Sequence, residues 1–198
     1  VDCRFPVQYV IRPRNDQYHD YRGYAGKIAG GIFKPGDKVT ILPSNLTTEI
    51  TSIESPSGPI TEAFPPMSVI MQLHDDIDVS RGDMIVREHN QPHVGQNIDL
   101  MICWMSSTPL QPMQTYILRH TAKETKAMVR NLYYKLDINT LHRIENVPDL
   151  GLNEIGRISV RTAQPLFYDS YRRNRATGSI ILIDERTNET VGAGMIRD

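Results

Sequence analysis

The chain has 198 residues, with 22 Lys and Arg against 23 Asp and Glu for a formal net charge of −1, which excludes a global pull toward nucleic acid or anionic lipid. Hydrophobic residues make up 39% and charged residues 23%, as in a globular protein of one large or two small domains. No apolar run approaches the ~20 residues that span a bilayer as a helix, and the N-terminus lacks the basic-then-apolar order of a signal peptide. No membrane partner is expected, and the expected location is cytoplasmic. Cys3 and Cys103 allow one disulfide but make no disulfide scaffold; two buried free thiols are the expectation. The chain starts at Val1 and reaches strand-like sequence within four residues, so it reads as a piece of something longer.

The first half alternates with period two and is broken by turn residues. Phe5–Arg12 is the first predicted strand. Tyr21–Leu42 follows, with a strand at Ala25–Phe33, a turn at Lys34-Pro35-Gly36-Asp37 and a strand at Lys38–Leu42, read together as a bent barrel hairpin. Gly23, Gly26, Gly30 and Gly31 punctuate it, as at bulges, barrel corners or close backbone approaches. Strands are predicted at Glu49–Ile53, Ser68–Leu73 and Met84–Arg87. Six or seven short strands in about 85 residues suit a barrel or a sandwich.

A polar hinge, Glu88–Gly95, interrupts the pattern. Residues 1–89 are assigned to one domain, 90–96 to a linker and 97–198 to a second domain. The second half resumes β texture at Asn97–Trp104, Gln114–His120, Ile155–Thr162, Ser179–Asp184 and Thr190–Ile196. Thr125–Leu136 is ambiguous. Met128, Leu132 and Leu136 make a helical stripe, which the pattern slightly favours, whereas the all-β surroundings favour a strand.

No self-contained active site is encoded. The phosphate-binding loop GxxxxGK[ST] is absent, and Gly192-Ala193-Gly194 has no helix to follow it. His89 and His93 are separated by Pro92, which denies the helix that would align them. His74 with Asp75, Asp76 and Asp78 reads as a solvated acidic turn rather than a cation site. Trp104 reads as core, and Ser106, Ser107 and Thr108 have no histidine base nearby in sequence. Arg172, Arg173 and Arg175 crowd one loop around Asn174. They suit an acidic partner or an anion; the alternatives are a solvated loop or an arginine tied to Asp169 or Asp184.

The opening run resembles the second domain of elongation factor Tu-like translational GTPases, and Ile77–Met84 resembles the closing strand of that barrel. Thr190–Ile196 is similar to the end of their third domain. Trp104-Met105, Tyr134–Leu141, Leu152–Arg157 and Asn174–Ser179 followed by Ile181–Asp184 resemble, in order, the GTP-binding large subunit of bacterial sulfate adenylyltransferase. The resemblance implies an all-β protein of two consecutive β-barrels and settles Thr125–Leu136 as a strand. It also implies a parent complex in which GTP hydrolysis helps drive formation of adenylyl sulfate and pyrophosphate from ATP and sulfate. In that family a small catalytic subunit is the partner, and GTP and Mg²⁺ belong to an upstream GTPase domain whose motifs do not occur in this chain. No catalytic, cofactor or metal residue is therefore expected here, and the chain alone is expected to be inactive. Arg22 and Gly23, or Arg172, Arg173 and Arg175, are the candidate partner contacts. The alternative is a translation factor's barrel pair contacting tRNA, against which the charge of −1 and the scarcity of basic clusters weigh.

Overall fold

The computed structural model describes residues 1–13, 17 and 21–198. Among them, the chain forms two compact units, Val1–Pro92 and His93–Asp198.

In the first unit the strands are β1 (Arg4–Ile11), β2 (Gly23–Lys27), β3 (Lys38–Leu42), β4 (Leu46–Ser55), β5 (Gly58–Ile60), β6 (Ser68–Leu73) and β7 (Met84–Val86). They run in the order β3-β7-β1-β2-β6-β4-β5, and β3 also pairs with β4. That extra pairing closes six strands into a ring and leaves β5 appended outside it. The interior is filled by Phe5, Val7, Val39, Ile41, Ile50, Ile53 and Met71 among others, the inward side chains of the strands, together with Phe33 from the β2–β3 connection.

The second unit repeats the plan with β8 (His93–Trp104), β9 (Thr115–His120), β10 (Lys123–Leu136), β11 (Arg143–Glu145), β12 (Ile155–Tyr168), β13 (Ser179–Ile183) and β14 (Thr190–Ile196). The order is β11-β10-β12-β8-β14-β13-β9, closed by β10 against β9, with β11 appended. Its core holds Leu100, Ile102, Trp104, Leu118, Val129, Ile158, Val160 and Leu182. Trp104 is buried and donates its Nε1–H to the Thr108 carbonyl at 2.8 Å.

The all-β, two-barrel architecture is therefore present, and Thr125–Leu136 lies within a strand. Its helical stripe arises because β10 shifts register between Val129 and Asn131 and again between Leu132 and Tyr134. Each bulge offsets the period-two alternation by one residue, so the stripe mixes the two faces: Leu132 packs against the core, whereas Met128 and Leu136 are half-exposed. The hairpin expectation for Tyr21–Leu42 is corrected. β2 pairs with β1 and β6, whereas β3 pairs with β4 and β7, so the two are not neighbours. The predicted strand to Phe33 ends at Lys27, and only isolated bridges continue it, Gly30 to Arg4 and Phe33 to Ala63. The turn itself has the expected form: Gly36 has φ 92°, the Asp37 amide donates to the Lys34 carbonyl at 3.1 Å, and the Lys34 amide donates to Asp37 Oδ2 at 2.9 Å. Strand β8 begins at His93, within the stretch assigned above to the linker. Cys3 is buried and Cys103 half-buried, both free thiols.

Candidate functional site

The arginine loop of the second barrel is built from its backbone outward. Residues 169–178 connect β12 to β13 and are tied to the last residue of β14: the Tyr171 amide donates to the Ile196 carbonyl at 2.9 Å and the Ile196 amide to the Gly178 carbonyl at 2.8 Å. The Asn174 side-chain oxygen accepts from the amides of Ala176 and Thr177 at 2.9 and 3.0 Å, which folds the loop into an Asx turn. Beneath it, Thr177 Oγ1 donates to buried Asp169 at 2.7 Å. His120 Nε2–H donates to the Thr177 carbonyl at 2.6 Å. Burial pushes the His120 pKa below its usual range, with Lys123 adding to the shift, while the Thr177 hydrogen bond and Asp169 oppose it. His120 is thus a neutral donor. Gly178 is required by close approach: a Cβ there would overlap the Tyr171 backbone.

Arg172, Arg173 and Arg175 project from this frame as exposed side chains, Arg175 lying 5.9 Å from the Tyr171 ring centroid. Asp184 pairs with Arg186 at 3.9 Å, and its Oδ1 accepts from the amides of Arg186 and Thr187. The sequence reading passes over His120; its neighbours in sequence give no sign that it lies under a loop about 55 residues away.

In the first barrel, Arg22 pairs with Asp76, and both line a polar cleft of about 460 Å³ with Tyr21, Tyr24, Gln72 and His74. Tyr24 donates its hydroxyl to the Ile77 carbonyl at 3.2 Å; burial raises its pKa above the ordinary phenol value. Gly23 is the buried first residue of β2, and a Cβ there would lie 2.8 Å from Ile70 Cγ2. The acidic turn is exposed as expected: Asp75 accepts from Thr48 Oγ1 at 2.8 Å and Asp78 sits 3.7 Å from Arg12. Among the described residues, no three His, Cys, Asp or Glu side chains gather where a metal ion could bind. The two groups of candidate contacts thus lie in different barrels, each on a well-tied backbone.

Residues 97–197, just over half of the chain, match the GTP-eEF1A C-terminal domain-like family. The chain belongs to that family. The GTP-eEF1A C-terminal domain-like match covers the second barrel, and similarity to curated proteins extends over the first as well. The chain is 53% identical over 197 residues to the bifunctional enzyme CysN/CysC of Mycobacterium tuberculosis, covering 99% of this chain and 32% of that protein. It is 44% identical to sulfate adenylyltransferase subunit 1 of Bacteroides fragilis, covering 100% of this chain and 40% of that protein. It therefore spans between about a third and two fifths of the length of these relatives. Among solved structures, Sup35 complexed with GDP superposes with a TM-score of 0.88 at 17% identity, covering 100% of this chain and 47% of that one. Elongation factor SelB from Methanococcus maripaludis gives 0.77 at 18% identity, covering 100% and 43%. At such identities the structural likeness speaks for the fold alone.

Proposed function

We propose that this chain is the two-barrel region of the GTP-binding large subunit of a sulfate adenylyltransferase. It supports GTP-driven formation of adenylyl sulfate and pyrophosphate from ATP and sulfate by docking and relay. The observation that carries this reading is the contrast in identity on one fold. Sulfate adenylyltransferase subunit 1 of Bacteroides fragilis keeps 44% over the whole chain, whereas translation factors of the same architecture keep 17–18%. The parent subunit binds GTP and Mg²⁺ through an upstream GTPase domain, its partner is the small catalytic subunit, and the heterodimer works in the cytoplasm. Arg172, Arg173 and Arg175, and the strand start at Arg22 and Gly23, are contact candidates toward that partner or that domain.

Pull-down of the purified small subunit by the 198-residue chain tests the docking role. Retention is expected, with neither GTP hydrolysis nor adenylyl sulfate formation by the chain alone. Failure of the chain to retain a small subunit that the full-length large subunit holds would remove the docking role from these barrels. Turnover of ATP and sulfate by the isolated chain would overturn the assignment as a supporting region.

A further inference from the structure

The outer surface of the second barrel carries a patch that closing the barrel does not require. Along β12, Ile158 and Val160 enter the core, so Arg157 faces outward. Arg157 is register-paired with Tyr134 on one side and Met101 on the other, and Met101 with Met195. The register shift between Leu132 and Tyr134 turns two consecutive tyrosines to this side. The Arg157 guanidinium lies 4.7 Å from the Tyr133 ring centroid, and Arg143 lies 4.6 Å from that of Tyr134. The Tyr134 hydroxyl meets the Met101 sulfur at 3.9 Å. Tyr134 is thus buried outside the core cluster, while Tyr133 remains 43% and Met195 45% exposed. The next row of the same face, Leu136, Ile155, Cys103 and Ala193, is apolar and half-exposed.

We infer that this tyrosine–methionine–arginine face seats a protein partner whose contact surface is apolar and framed by carboxylates; on the reading above, that partner is the small catalytic subunit. The outward side of an antiparallel sheet facing water is ordinarily polar. Protein interface cores are instead enriched in Tyr, Met and Arg and depleted in Lys, Glu and Asp, and tyrosine and arginine dominate their hot spots. Here both tyrosines are already stacked on guanidinium planes, which fixes their rotamers before a partner arrives.

Charge defines the partner. The chain as a whole is at −1, yet this face holds Arg143, Arg157, Arg161 and Arg197 against Asp99 and Glu145. Asp99 serves both Arg157, at 2.7 Å, and Arg197, at 3.7 Å. Arg143 has the Tyr134 ring and, among the described residues, no carboxylate partner. An incoming carboxylate complements that guanidinium. A second copy of this chain would bring the same excess of arginine over carboxylate to both sides of the contact. Nucleic acid fits less well, because one carboxylate already serves two of the guanidiniums and the apolar rows offer a phosphate nothing.

The inference rests on the docking reading, and one titration separates the two. The immobilised chain is titrated with purified small subunit as wild type, Arg143→Glu and Met195→Asp, with Arg172, Arg173 and Arg175 replaced by Ala as a further comparison and tRNA as a second analyte. Arg143→Glu and Met195→Asp are expected to weaken small-subunit binding at least about tenfold. If Met195→Asp unfolds the barrel, Arg143→Glu carries the test alone, because β11 lies outside the closed ring. Wild-type binding with Arg143→Glu within about twofold of it overturns this face and leaves docking standing. No wild-type binding removes both. Salt-sensitive tRNA binding lost in Arg143→Glu, with small-subunit binding intact, overturns the inference in favour of nucleic acid.

Discussion

Arg4 illustrates how much a single side chain carries in the first barrel. It is fully buried, yet its Nη1 donates to the carbonyls of Cys3 at 2.9 Å and Asn90 at 2.7 Å, so a guanidinium near the start of the unit is bonded to backbone near its end. Arg4→Ala leaves those carbonyls without this donor and is expected to cost the unit about 3 kcal/mol, measured by denaturant unfolding. Thr40 is the opposite case: its hydroxyl is buried with no hydrogen-bond partner among the described residues. Thr40→Val is expected to be neutral or stabilising by up to about 1 kcal/mol. In the second barrel, Gly178→Ala forces the arginine loop off Tyr171 and is expected to destabilise by roughly 2 kcal/mol or more. His120 sets a pH dependence. Its folded pKa lies below its ordinary value of about 6.5, so the unfolded chain takes up a proton first as pH falls. The stability that neutral His120 contributes is complete above about pH 6.5 and is lost below it. Lys123 and Asp169 face the same group with opposite signs. Unfolding of residues 93–198 followed from about pH 7.5 to 5 should show this decline, and His120→Gln should flatten it; identical profiles would exclude His120 as the cause.

Strand content was legible in the sequence wherever apolar and polar residues alternated between turn signals. Lys38–Leu42, Ser68–Leu73 and Thr190–Ile196 coincide with β3, β6 and β14. Two kinds of element were not. The three-residue strands β5 and β11 are too short for a periodic signal and sit outside the rings. Pairing partners were also hidden: Pro35-Gly36 reports a reversal of direction, not which strand the reversed chain will meet. Among site residues, the loop carrying Arg172, Arg173 and Arg175 was visible as local composition, and Asn174 and Gly178 explain its shape. The Arg157–Tyr133 and Arg143–Tyr134 contacts were not visible, because a bulge decides that two adjacent tyrosines face one way. The appended position of β11 gives a test at this scale. Replacing residues 137–145 with a short turn should leave the barrel folded, its melting temperature lowered by a few degrees, since β10 closes the ring against β9. Loss of the cooperative melt would mean that β11 is part of the closure.

Each unit has its own core cluster and its own closed ring, so residues 1–92 and 93–198 made separately should each give a cooperative melt. Among the described residues, neither barrel gathers three His, Cys, Asp or Glu side chains where a metal ion could bind. Sup35 shares this fold at 17% identity, and sulfate adenylyltransferase subunit 1 of Bacteroides fragilis is 44% identical in sequence over the whole chain. The central claim is that these barrels belong to a sulfate-activating GTPase. Its most direct test is adenylyl sulfate formation by the full-length parent polypeptide combined with the small catalytic subunit, with and without GTP. The account predicts that GTP, hydrolysed in step, raises the yield of adenylyl sulfate from ATP and sulfate. A yield indifferent to GTP, together with binding of aminoacyl-tRNA by the same polypeptide, would contradict it.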